Sequence, residues 1–200
     1  GPTKDLLPGE ADRLQDYMVL GGRMLLLVDP ETPETFRRYL NTWGIELGQG
    51  NIFEEEDYLR PDNRIPFITN HNPNLELSQG LGRTFFPGLA PITPIQDIPM
   101  VEVVGQQVNR LMPQVLSITS SNSWLVEDDD RSEPDKENDA RGPFFTGARV
   151  QGLAPIGRDI PDEPPPGGFP IVAVIGDSDF ATNEHFTTAS NGDLFLNAVN

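Results

Sequence analysis

Arg23-Met24-Leu25-Leu26-Leu27-Val28-Asp29-Pro30 decides how this chain is read. An unbroken apolar run closed by Asp-Pro suits a strand covered on both faces, as in a parallel sheet, because an antiparallel strand with one wet face alternates polar and apolar residues. Working outward, Leu14, Tyr17 and Met18 recur at helical spacing before it, with Asp5 or Thr3 as a cap and Gly21-Gly22 as the stop. After it, Thr32 or Pro33 can open a second helix whose stripe is Phe36, Tyr39, Leu40 and Trp43, and Gly44 stands where a left-handed C-terminal residue belongs. Helix, buried strand and helix in so short a span predict an α/β layered sheet with right-handed crossovers.

Further strands are predicted at 64–69, 100–105, 115–119 and 171–176, with weaker candidates at 45–51 and 145–151. Residues 191–200 read as a closing helix with Leu194, Phe195 and Val199 inward. The expectation is a single α/β domain over 1–200, three-layered and mostly parallel.

Composition limits the function. Apolar residues make up 36% of the chain, with 20 Pro and 19 Gly between short apolar runs, so a modest core with large irregular loops is expected. The formal charge is −17, from 31 acidic against 14 basic side chains. Such a surface repels phosphate backbones and anionic lipid, which argues against nucleic-acid binding. With no cysteine, disulfides, thiolate metal sites and cysteine nucleophiles are excluded. No apolar run is long enough to span a bilayer, and no signal peptide opens the chain.

Two stretches read as irregular. Residues 127–139 hold eight acidic side chains against Arg131 and Lys136 and are expected to form a mobile acidic loop. Residues 159–168, with Pro161 and Pro164-Pro165-Pro166, read as a stiff extended connector to the last strand.

The sharpest chemical signal is Ile171-Val172-Ala173-Val174-Ile175-Gly176-Asp177-Ser178-Asp179-Phe180, a buried strand entering a polar turn. In open α/β sheets ligands bind at the carboxyl ends of strands. Three readings stand. Ser178 is a nucleophile, since Gly-Asp-Ser opens SGNH-type serine esterases, but that chemistry needs an imidazole in reach and only His71 and His185 exist. Asp177 and Asp179, with Asp29 at another strand end, hold a divalent cation through hard oxygen ligands. Or Asp177 and Ser178 satisfy open backbone donors at the turn. Beyond this turn, His71 in an Asn/Pro loop is a candidate acid, base or loop hydrogen-bonder, and Trp124 beside a serine-rich segment is a candidate stacking aromatic or packing residue. Phosphate-loop and dinucleotide fingerprints are absent. No cofactor is expected.

The ordered landmarks Gly1-Pro2-Thr3-Lys4-Asp5-Leu6, Gly21-Gly22-Arg23, Trp43-Gly44-Ile45, His71-Asn72-Pro73, Thr119-Ser120-Ser121-Asn122-Ser123-Trp124, Gly176-Asp177-Ser178-Asp179-Phe180 with Asn183, and Leu194-Phe195-Leu196-Asn197 run along nearly the whole chain. In that order they resemble the uncharacterised ABC-transporter auxiliary family that includes the GldG-like gliding-motility component. The resemblance implies a flavodoxin-like or class I glutamine amidotransferase-like fold, and a related domain appears in an intraflagellar transport subunit. It implies an extracytoplasmic domain of a membrane-anchored parent that works with ABC-transporter membrane subunits, with no catalytic residue carried over. It also implies a strand before Gly1 and a membrane segment after Asn200, and so an open sheet edge prone to pairing. The expected role is binding or scaffolding of protein subunits, or of a glycan or peptide at the strand ends. The competing class is a hydrolase or metal-dependent enzyme built on the 176–180 turn.

Overall fold

A computed structural model describes residues 1–128, 131–163 and 165–200. Its centre is a mixed four-stranded sheet in the order Arg23–Leu27, Ile171–Ile175, Gly147–Gly152, Leu111–Val115. Arg23–Leu27 runs parallel to Ile171–Ile175, with Leu25 opposite Ala173. The other two pairings are antiparallel.

This corrects the expected fold class. A mostly parallel, three-layer flavodoxin-like sheet needs a helical crossover between successive strands. The chain has one such opening, then abandons it: among the described residues α-helix is confined to α1 (Glu10–Val19), α2 (Glu34–Thr42) and α3 (Asn191–Val199). Between α2 and the sheet strand Leu111–Val115 the chain instead forms short strands that pair antiparallel, mostly as two-stranded ribbons. Ile45–Leu47 pairs with Ile92–Pro94, Phe67–Ile68 with Thr84–Phe85, and Met100–Val103 with Gln106–Asn109. Asn51–Glu54 and Ala140–Arg141 flank Ser123–Val126 in a three-stranded antiparallel sheet. Proline and glycine recur too often there for a crossover helix to run.

Alternation along the central strands builds two cores. Val172 and Val174 face α1 and α2, packing with Met18, Leu40, Trp43 and Val150. Ala173 and Ile175 face the opposite way, onto Phe86, Phe180, Leu116 and Leu194 of α3. Adjacent residues of one strand thus serve opposite cores. In α3 Leu194 is buried and Phe195 partly so, but Val199 is exposed, against the inward position expected for it.

Local chemistry sets the helix ends. Asp5 does not cap α1; its carboxylate accepts the amide and hydroxyl of Thr35 at 3.2 and 2.8 Å, and so caps α2 from 30 residues upstream. Gly44, at φ +70°, ends α2 in the left-handed region as the sequence suggests. Arg37, on α2, donates to the carbonyls of Thr32 (2.9 Å), Leu47 (2.6 Å), Gly48 (3.2 Å) and Pro30. One guanidinium thereby fixes the loop that follows Asp29.

The acidic stretch 127–139 is partly self-paired. Arg131 bonds Asp139 at 2.6 Å and approaches Asp128 at 3.7 Å, Lys136 meets Glu55, and Asp135 accepts from the Glu137 amide and the Asn138 side chain. Asp129 and Asp130 of that stretch, and Pro164 of the 159–168 connector, lie outside the described residues. The connector's start is held by Arg110, which donates to the carbonyls of Ala154, Pro155 and Arg158.

Candidate functional site at the strand ends

The parallel pair delivers Asp29 and Asp177 to the same end of the sheet, because Leu27 and Ile175 are register partners. Gly176 is required there by close approach. A Cβ on it would stand 2.1 Å from the Ala90 carbonyl oxygen, whose residue's amide donates back to Gly176 at 2.7 Å.

The cluster is closed upon itself. The Asp29 carboxylate accepts the Ser178 amide at 2.7 Å and the Ser178 hydroxyl at 2.8 Å. Asp177 Oδ1 accepts the Asp179 amide at 2.6 Å, a local turn that starts the one-turn 3-10 helix Asp179–Ala181. Phe180 then fills the second core against Phe86, ring centres 5.7 Å apart. Asp177 is 0% exposed, and its Oδ2 has no hydrogen-bond partner. Burial, with the charges of Asp29 and Asp179 adding to it, holds this carboxyl well above the usual carboxylate range.

Chemically this is a lock. A serine nucleophile needs a base to take its proton, and the Ser178 hydroxyl donates to Asp29 instead of to an imidazole. Among the described residues no group of three or more His, Asp or Glu side chains is placed to hold a metal ion.

His71 and Trp124 are not brought into the cluster. His71 sits on Asn70–His71, paired with Ser117–Ile118, and its Nε2 contacts the Gly82 carbonyl at 2.8 Å. Burial lowers its pKa, which favours the neutral ring as the donor in that contact. Trp124 is buried opposite Phe53, with the Arg141 guanidinium 5.6 Å from its ring centre.

No family model matches the chain, and no curated protein matches it in sequence. Among solved structures it is similar to the mmIFT52 N-terminal domain, with a TM-score of 0.64 at 14% identity over 98% of this chain and 71% of that one. At that identity the likeness is one of fold.

Three residues outside the sequence candidates organise this architecture. Glu54, 1% exposed, accepts the Ser120 hydroxyl at 2.9 Å and amide at 3.2 Å, and burial raises its pKa. Ser120 belongs to a hydroxyl knot in which Thr119 and Ser123 are 2.7 Å apart and Thr119 accepts the Phe144 amide. Asn191, buried at the start of α3, accepts the Phe85 amide at 2.8 Å and donates to the carbonyls of Phe85 and His185. Arg37 is the third. Glu54 is masked in sequence by the run Glu54-Glu55-Glu56-Asp57, and only its place next to Ile52-Phe53 hints at an inward side chain.

Proposed function

We propose that this domain is a non-catalytic binding or scaffolding module of an ABC-transporter auxiliary component, extracytoplasmic and carried by a membrane-anchored parent. Its partners in this reading are the transporter's membrane subunits. The observation that carries the non-catalytic part is the Asp29–Ser178 lock, which spends the one hydroxyl that the Gly-Asp-Ser motif offers. The transporter part is supported by the ordered landmarks along the sequence, several of which occupy structural junctions. Gly22 accepts the Ile171 amide at the head of the parallel pair, Thr119–Ser123 form the hydroxyl knot, and Gly176 lies against Ala90. No helix among the described residues is long and apolar enough to cross a membrane, so anchoring in this reading falls to the parent.

The test is Ser178→Ala. Losing a hydrogen bond to a charged acceptor should destabilise the fold by about 1.5–3 kcal/mol. Hydrolysis of a small acyl ester should match the buffer blank in both the unmodified domain and the variant. Turnover by the unmodified domain that the variant loses, with folding intact, would make the domain a hydrolase and end this reading.

A further inference from the structure

A groove of about 490 Å³ is lined by residues that include Ile95, Ile98, Asn109, Leu111, Met112 and Pro113. It lies along the outer edge of the central sheet and is bordered by the 100–109 hairpin, whose Met100 pairs with Asn109. Folding leaves apolar surface in water here. Met100 is 57% exposed, Met112 49%, and Val104 at the hairpin tip 98%. Val104 also has φ +49°, a left-handed conformation that a β-branched side chain rarely adopts. A two-residue hairpin turn of this kind ordinarily takes Asn-Gly; Val104-Gly105 accepts strain and gains no internal contact for the valine. Such an outlier points to a role outside the fold.

The edge is built to refuse another strand. The Leu116 amide donates to Gly147 and the Leu153 amide to Arg110, which turns the backbone of Leu111, Pro113 and Val115 outward. Pro113 removes the donor an added strand would need. An occupant must therefore engage through side chains. Its charge is set by the surroundings: Asp97 lies between the lining residues Gln96 and Ile98, Glu102 stands two residues from Met100 on the adjoining hairpin, and neither has an ion-pair partner among the described residues. Arg110, the one basic residue between Arg83 and Arg131, is engaged by carbonyls.

We propose that this groove docks a segment of a partner protein whose apolar side chains fill it and whose lysines or arginines meet Asp97 and Glu102. The inference deepens the binding-module reading and rests on it.

The test is titration of the methyl-labelled domain with a synthetic amphipathic peptide of leucine and lysine, against the same peptide with glutamate for lysine. Saturable shifts of the Met100, Met112, Ile95 and Ile98 methyls by the lysine peptide alone are expected. Met112→Asp should weaken binding at least about tenfold, the loss that about 1.4 kcal/mol corresponds to. Val104→Asn, which suits the turn better, should keep the fold and also weaken binding. Shifts confined to 127–139, or affinity unchanged in both variants, would overturn the groove. So would concentration-dependent dimerisation through these residues, or binding of zwitterionic phosphatidylcholine vesicles that Val104→Asn abolishes. The two readings fail separately. Membrane subunits still recovered by Met112→Asp at full yield would sink the groove alone, whereas Ser178-dependent turnover would sink the module.

Discussion

Asp177 is the residue whose chemistry reaches furthest. An ionised carboxylate without water or a counter-charge is costly, and this one is buried with Oδ2 unpartnered. Its folded pKa lies above the unfolded value, so the stability it contributes is complete below the ordinary carboxylate range and is lost as pH rises through the raised value. Glu54, also raised by burial, acts in the same direction. Asp62, Asp135 and Asp139, lowered first by their side-chain hydrogen bonds, act in the opposite direction, but only as pH falls through the ordinary carboxylate range and below, outside the window from about pH 5 to about pH 8. The domain should therefore melt higher at about pH 5 than at about pH 8. Asp177→Asn keeps an acceptor for the Asp179 amide while removing the charge. It should raise the melting temperature at about pH 8 by about 2–4 °C, the shift expected of about 1 kcal/mol in a domain of this size, and raise it by less at about pH 5, nearer the unfolded value. Equal effects at both pH values would show that Asp177 titrates as an ordinary carboxylate.

At the scale of elements, the sheet was legible where side chains carry it and illegible where the backbone does. Arg23–Leu27 and Ile171–Ile175 announce themselves as aliphatic runs, and they form the one parallel pair among the described residues. Gly147–Gly152, a weak candidate in sequence, lies inside the sheet. Its glycine is there because a Cβ on Gly147 would stand 2.5 Å from the Val174 carbonyl oxygen. Gly147→Ala should accordingly cost about 1–3 kcal/mol, as overpacking does, whereas Gly82→Ala, whose Cβ would meet only Ser190 Oγ at 3.4 Å, should be nearly neutral. Equal melting temperatures for the two variants would refute the close-packing account. The expected 115–119 strand is divided between the end of Leu111–Val115 and the short Ser117–Ile118, and Pro113 sits in the former because an edge strand tolerates proline. The expected 64–69 strand shrinks to Phe67–Ile68, and 100–105 becomes half of an exposed hairpin, since apolar content alone does not report which strand a segment will pair with. The strand-end turn was recognised from its position after a buried run. The Asp29–Ser178 lock was not, because it joins residues 149 apart through register.

For the whole molecule, a mixed sheet carries helices α1 and α2 on one side and α3 with irregular connections on the other, and an apolar groove runs beside its Leu111–Val115 edge. The net charge of −17 favours encounter with cationic over anionic surfaces. The strand-end cluster is consumed by its own hydrogen bonds, so binding in this account belongs to the surface. The central claim is that the domain recruits transporter subunits and turns nothing over. Its most direct measurement is co-purification of the full-length protein from its native membrane, with the bound chains identified. Recovery of an ABC permease or ATPase in stoichiometric yield is the expected result, and recovery of soluble enzymes alone would contradict the account.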